Sequence, residues 1–173
     1  MSRVEELIRF LQLQPLPREG GWYRETYRSS LQLPVDALAP RYRGARSAGT
    51  AIYYLLTPDT FSALHRLPTD EVFHFYLGDP VEMLQLGPTD KDGGRLLTLG
   101  SDVLAGQQVQ TVAPAGVWQG SALCAGGAFA LLGTTMAPGF DFADYEAADR
   151  EELIAAFPDF AEHIMRLCPS EKM

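Results

Sequence analysis

The sequence predicts an all-β domain of nine short strands, closed into a barrel or packed as a sandwich, with helices at both ends. Three observations carry that expectation. From Trp22 to Met136 the chain is a succession of short segments rich in aromatic and β-branched residues, divided by turn-forming stretches. No helix-length interruption falls between them, so successive strands pair antiparallel, since parallel pairs need long crossovers. The two ends, residues 2–13 and 141–168, carry helical spacing instead. At 173 residues the chain reads as a single domain, 1–173. A domain of this size buries about two-thirds of its extended surface and needs neither disulfides nor a structural metal.

The elements follow in order. In residues 2–13, Val4, Leu7, Ile8 and Leu11 recur at helical spacing, Ser2 can cap the run, and Pro15 and Pro17 stop it. From Trp22 the period changes. WYRETYRSSLQL, TAIYYLLT, TFSALHRL, EVFHFYLG, VEMLQLG, RLLTLGS, QQVQTVA, GVWQGSALC and GAFALLGTTM read as strands. TPDT, LPTD, GDP, PTDKDGG, APAG and AGG read as the turns between them. Together they make a β-core over residues 22–137, which buries its apolar faces only by closing or stacking. After Pro138 the chain turns acidic and helical, and Pro158 divides this tail, 141–168, into two short helices.

Composition excludes several classes. The chain carries 14 Lys plus Arg against 22 Asp plus Glu, a formal charge of −8, which supplies no electrostatic footprint for nucleic acid. The amino-terminal segment has no apolar core or cleavage signature of a secretory signal, and no run of about 18 apolar residues marks a membrane span. Cys124 and Cys168 lack partners at metal-binding spacing, so the chain reads as a reduced, cytoplasmic protein in which Cys124 is a small buried hydrophobe and Cys168 an incidental tail residue. Much of the acidic excess lies in the last third, as a solubility feature. It does not forbid an anionic substrate held beside His65, Arg24 or Arg28.

At HRLPTDEVFHFYLGDP the chain resembles the first conserved motif of the cupin superfamily: Glu71 and Gly78 have its Glu–Gly spacing, and His65 lies six residues before Glu71. Gly106, Pro114, Gly116 and Gln119 resemble the second motif. EGGWYRETYRS, AIYYLL, FSALHRL, PAGVWQG and APGFDFADYE resemble one branch, the largely uncharacterised cupin 5 family, from about Leu11 to Phe157. The resemblance implies a double-stranded β-helix, or jelly roll, similar in shape to sugar-nucleotide epimerases and commonly a homodimer, with no settled reaction.

Metal-binding cupins typically use three His and one Glu. Carried over, the motif gives His65 at the first His position, Leu67 at the second, Glu71 at the Glu position and Gln119 at the last His position. Two strong donors are missing, which leaves His65, Glu71 and Gln119 as weak metal candidates and no cofactor as the expectation. His74 does not compensate, because Glu71, Phe73 and Phe75 share one strand face while Val72, His74 and Tyr76 share the other.

The same residues suit a metal-free pocket. His65 can serve as a general base with Glu71 orienting it, provided adjacent strands bring them within about 3 Å. Gln119 and Ser121 share a face on VWQGSALC, and Phe73 and Phe75 supply aromatic walls. Either Tyr53 or Tyr54 faces the interior and can act as a second group; the alternation does not say which. Arg24 and Arg28 can meet a substrate phosphate, although ion pairing is the simpler role. Asp141 and Asp144 can reach the rim. The sequence therefore points to a small polar or carbohydrate-like ligand and a metal-independent epimerase or isomerase. The alternatives are a non-catalytic binding protein and a metal-dependent cupin enzyme with a reduced ligand set. The expected partners are that ligand and a second copy of the chain, with no nucleic acid and no membrane.

Overall fold

A computed structural model describes residues 2–87 and 93–168, so the PTDKDGG turn lies mostly outside the described residues. Helix α1 (Arg3–Phe10) is followed by β1 (Gln14–Pro15), β2 (Trp22–Arg28), β3 (Gln32–Leu33), β4 (Arg46–Ser47), β5 (Thr50–Leu56), β6 (Phe61–Arg66), β7 (Glu71–Gly78), β8 (Val81–Leu86) and β9 (Gly94–Leu99). Then come β10 (Gln110–Ala113), β11 (Trp118–Leu123), β12 (Ala130–Met136), β13 (Glu146–Ala147), α2 (Arg150–Ala156) and α3 (Ala161–Leu167).

The strands form a six-stranded sheet, β1-β2-β5-β12-β7-β10, and a five-stranded sheet, β13-β6-β11-β8-β9, with β3 and β4 as a small separate ladder. Neighbouring strands pair antiparallel. From β5 to β8 successive strands alternate between the sheets, and β10, β11 and β12 alternate again. The two inner faces enclose one core built on Tyr54, Phe73, Phe75, Met83, Leu99 and Leu132. This is the jelly roll.

Each outer face has its own helical cover. Ser2 and Glu5 form a capping box on α1, worth about 1 kcal/mol. The apolar side of α1 lies against Leu13, Leu55 and Leu131 of the six-stranded sheet. The helix ends at Phe10 rather than Leu13, because the chain turns at Gln12 with φ 55°. Across the molecule, Leu153, Ile164 and Leu167 of the carboxy-terminal helices cover Leu64, Leu84 and Leu86 of the five-stranded sheet. No described helix is long and apolar enough to cross a membrane.

Three local expectations need correction. WYRETYRSSLQL is not one strand: β2 stops at Arg28, and Gln32–Leu33 pairs with Arg46–Ser47 instead. The Ser47 hydroxyl holds that departure by donating to the carbonyls of Ser29 and Gly49. The tail is not helical from residue 141, because Glu146–Ala147 adds to the edge of β6 opposite Arg66 and His65. Cys168 is no loose tail residue. It is buried against the carboxy-terminal helices, and its carbonyl accepts from the Arg150 guanidinium, while Cys124 is the more exposed of the two thiols.

Candidate functional site

Four segments converge inside the barrel: the loop before β2, carrying Glu19; β6, carrying His65; the start of β7, carrying Glu71; and β11, carrying Gln119. Cross-strand register fixes the last three. His65 sits opposite Gln119 within the five-stranded sheet, and Glu71 sits opposite Met136 and Ala113 within the six-stranded one. His65 and Glu71 are therefore not on adjacent strands, and they make no direct hydrogen bond. The link from β6 to β7 crosses between sheets, so the two face each other, and Gln119 spans the gap.

That bridge has a definite polarity. Gln119 Nε2 donates to Glu71 Oε2 over 2.7 Å and lies 3.5 Å from His65 Nε2. His65 Nδ1 is 2.8 Å from the Ala63 carbonyl, which only accepts, so Nδ1 carries the proton and Nε2 is bare in the neutral ring. Two acceptors thus face the amide, which fixes its NH₂ inward. The Gln119 Oε1 atom is buried without a hydrogen-bond partner among the described residues, as is Ser121 Oγ. The His65 ring stacks on Tyr145 at 4.9 Å, and burial lowers its pKa against the opposing pull of Glu71.

Glu19 was not anticipated. Gly20 and Gly21 follow it with φ of 95° and 73°, and a Cβ on Gly20 would stand 2.5 Å from the Phe61 carbonyl oxygen. Only glycines let the loop lie this close to β6. The Glu19 carbonyl accepts from Ala63 N–H at 2.8 Å, and its Oε1 accepts from the Ser62 hydroxyl at 2.8 Å. Its Oε2 lies 4.0 Å from His65 Nε2. The Tyr54 hydroxyl donates to the Gly20 carbonyl beside it. Burial pushes the Glu19 carboxyl up to about 7, against hydrogen bonding from Ser62 and Tyr54. Burial and the Glu19 charge push Glu71 up to about 6, while His65, Thr134 and Gln119 pull it down. The signal for Glu19 was present in the sequence, as a carboxylate set against two consecutive glycines ahead of an aromatic strand.

Glu19 and Glu71 both open onto a cavity of about 390 Å³ walled by Tyr23, Ile52, Leu67, Phe140 and Phe142. His65, Gln119, Ser121 and Tyr54 stand behind that wall. Tyr54 is the inward tyrosine. Tyr53 is on the outer face, edge-on to Tyr76 and beneath Arg24, so neither Tyr53 nor Arg24 reaches the cavity. Phe73 and Phe75 point inward but belong to the packed core. Arg28 is at the rim, held by Glu25 through two bonds of 2.7 and 2.9 Å and by the Phe140 carbonyl. Asp141 lines the same rim, whereas Asp144 is buried in an ion pair with Arg46. An anion held by His65, Arg24 or Arg28 therefore finds a neutral ring, an outward side chain and an occupied guanidinium. A more open cleft of about 520 Å³ lies on the other side of Leu67, beside Arg66, Tyr145 and Glu146.

The donor set does not fit a cupin metal. Leu67 is a buried hydrocarbon, and Gln119 presents hydrogens rather than its oxygen to Glu71 and His65. Among the described residues no three His, Cys, Asp or Glu side chains are grouped to hold an ion.

Comparison with known proteins matches this geometry to a family. A hypothetical protein from Leishmania major is 30% identical, with 96% of this chain and 99% of that one covered and a TM-score of 0.83. Protein SO0799 from Shewanella oneidensis is 32% identical, with 99% and 100% covered and a TM-score of 0.82. The uncharacterized protein YML079W of Saccharomyces cerevisiae is 31% identical over 153 residues, covering 83% of this chain and 74% of that protein. Oxalate decarboxylase from Bacillus subtilis shares the fold alone, at 16% identity and a TM-score of 0.52, with 39% of its length covered. A family model described as Cupin superfamily (DUF985) matches residues 5–148, and with the jelly roll and the site motifs in place, the chain belongs to that Cupin_5 family.

Proposed function

We propose that this protein binds a small, polar, hydroxylated metabolite in the barrel and moves a proton on it without a metal, as an epimerase or isomerase does. The observation that carries the reading is the pair Glu19 and Glu71, two buried carboxyls displaced toward neutrality on one cavity wall. Carboxyls in that range exist in both protonation states near pH 7, as general acid–base chemistry needs. In the proposed step, ionised Glu71 takes a proton from a carbon next to a carbonyl, and protonated Glu19 hydrogen-bonds the oxygen on which the charge develops. Delivery of that proton from Glu71 to the neighbouring carbon, with Glu19 giving a proton to one oxygen and taking one from the other, yields the isomer, and no redox partner is needed. Neutral His65 and Gln119 position the two acids from behind the wall.

The reading extends to the setting of the protein. A reduced cytoplasmic location is consistent with two free thiols. A second copy is the proposed partner, against the outer face of the six-stranded sheet, where Tyr27 and Tyr76 are exposed.

The test is carbon-bound hydrogen exchange. Untagged protein is incubated in D₂O with a pool of hydroxylated carbonyl metabolites, and deuterium incorporation is followed by NMR with and without a chelator. Chelator-insensitive exchange that Glu71→Gln abolishes is expected. Ligand-induced stabilisation without exchange on any bound metabolite would leave a non-catalytic binding protein instead, and exchange lost to the chelator would restore the metal-dependent alternative.

A further inference from the structure

Hydrogen-bonding capacity at the cavity wall is unbalanced. Although the Ser121 hydroxyl behind the wall has no partner among the described residues, four donors around the acids are already engaged: Ser62 to Glu19, Tyr54 to the Gly20 carbonyl, His65 Nδ1 to the Ala63 carbonyl, and Gln119 Nε2 to Glu71. The acceptors are not. Glu19 Oε2 has His65 Nε2 at 4.0 Å, beyond hydrogen-bond reach. Glu71 lines the same cavity, with Gln119 bonded to one of its two oxygens.

Charge points the same way. Among the described residues, Glu19, Glu25, Glu71 and Asp141 line the cavity against one cation, Arg28, which Glu25 and the Phe140 carbonyl occupy. A carboxylate or phosphate would enter with no free positive partner. A neutral hydroxyl satisfies one acceptor but turns its own lone pairs toward the others, whereas an ammonium offers three donors and no lone pair. Its hydrogen bonds to carboxylates are also of the stronger, charge-assisted kind. Tyr23, Phe140 and Phe142 line the cavity, and aromatic rings attract a cation at close range.

We infer that the ligand of this cavity carries a protonated nitrogen, an ammonium or amidinium, seated between Glu19 and Glu71. The inference rests on the metabolite-binding reading above, with both acids ionised around the bound cation in place of the protonated Glu19 of the proton-transfer step, and narrows it to amine-bearing molecules, such as an amino sugar or a small arylalkyl amine.

Calorimetric titration of the full chain tests it with two probe sets matched in size and differing in charge. The sets are glucosamine, glucose and glucuronate, and phenethylamine, phenethyl alcohol and phenylacetate. In at least one set the ammonium member should bind about tenfold or more tightly than its neutral counterpart, the scale of a hydrogen bond to a charged group. Glu19→Gln and Glu71→Gln, checked for native circular dichroism, should remove that preference. Equal or tighter binding of the neutral or anionic members in both sets overturns the inference. So does a preference that survives both substitutions, or no heat from either amine at millimolar concentration. A neutral sugar that binds tightest and loses affinity in Glu71→Gln sinks the ammonium assignment and leaves the barrel a metabolite site. Silence from all six probes, with no exchange in D₂O, sinks both.

Discussion

Gln119 reaches across the barrel from the five-stranded sheet to donate to Glu71 of the six-stranded sheet over 2.7 Å. One side chain thereby links the two sheets and keeps a buried carboxylate satisfied. Replacing it by leucine removes the donor and leaves Glu71 desolvated. Gln119→Leu should cost about 1–3 kcal/mol at pH 8, where Glu71 is ionised, and clearly less at pH 5, where it is protonated. Urea denaturation at the two pH values reads the difference, and an equal loss at both would show that Gln119 acts by packing alone.

Glu19 should destabilise the native state as pH rises. Its native pKa of about 7 stands above the ordinary value of 4.5, so the folded chain holds a proton that the unfolded chain has released. The stability this contributes is complete below pH 4.5 and is lost as pH climbs through 7. Across that range the change amounts to roughly a few kcal/mol. Glu19→Gln keeps the acceptor for Ser62 without the charge, so it should melt higher than wild type at pH 8 and alike at pH 5. A calorimetric series across that range measures the crossover.

How far these features were legible in the sequence depends on how local they are. The nine strands of four or more residues are all present in segments whose alternation and bounding turns marked them. Three of the four two-residue strands escaped, since two residues carry no period, and the fourth, Gln32–Leu33, fell inside the segment that reads as one strand from Trp22. The inward set Glu71, Phe73 and Phe75 follows from alternation within β7, but the facing of Tyr54 needed its register with Tyr23 and Leu132. The relation of His65 to Glu71 was misread because sheet alternation is a property of the whole topology. Glu19 was overlooked because its place comes from the left-handed backbone of the glycines after it, which brings residues 19 and 63 together.

Gly20 is accordingly a residue that positions another. Gly20→Ala would put a methyl group 2.5 Å from the Phe61 carbonyl oxygen at φ 95°. Relief requires the loop to lift from β6. We expect a loss of about 1–3 kcal/mol, the usual cost of a strained backbone position, together with loss of ligand binding comparable to Glu19→Gln. Wild-type affinity in a folded Gly20→Ala protein would mean that Glu19 is not needed where it stands.

Arg46 anchors the wall of the cavity. Its guanidinium Nε donates to Asp144 Oδ2 over 2.7 Å, and both side chains are about 95% buried. Arg46→Ala leaves Asp144 without a counter-charge and should cost about 3–5 kcal/mol. Asp144→Asn in the same background should recover part of that loss. Denaturant titration of the two variants and wild type gives both numbers, and a loss under 1 kcal/mol in Arg46→Ala would show that the wall stands without the pair.

The segment that walls the cavity runs directly into β13, the strand that closes the edge of β6. Any motion of residues 140–147 large enough to let a bulky ligand pass would therefore also strip the backbone partners from Arg66 and His65. An uncovered β-edge of that kind is a template for pairing with another chain. Access to the barrel and resistance to aggregation are thus governed by the same eight residues, and a tight-binding ligand should act as a solubilising agent for this protein as much as an occupant of its cavity.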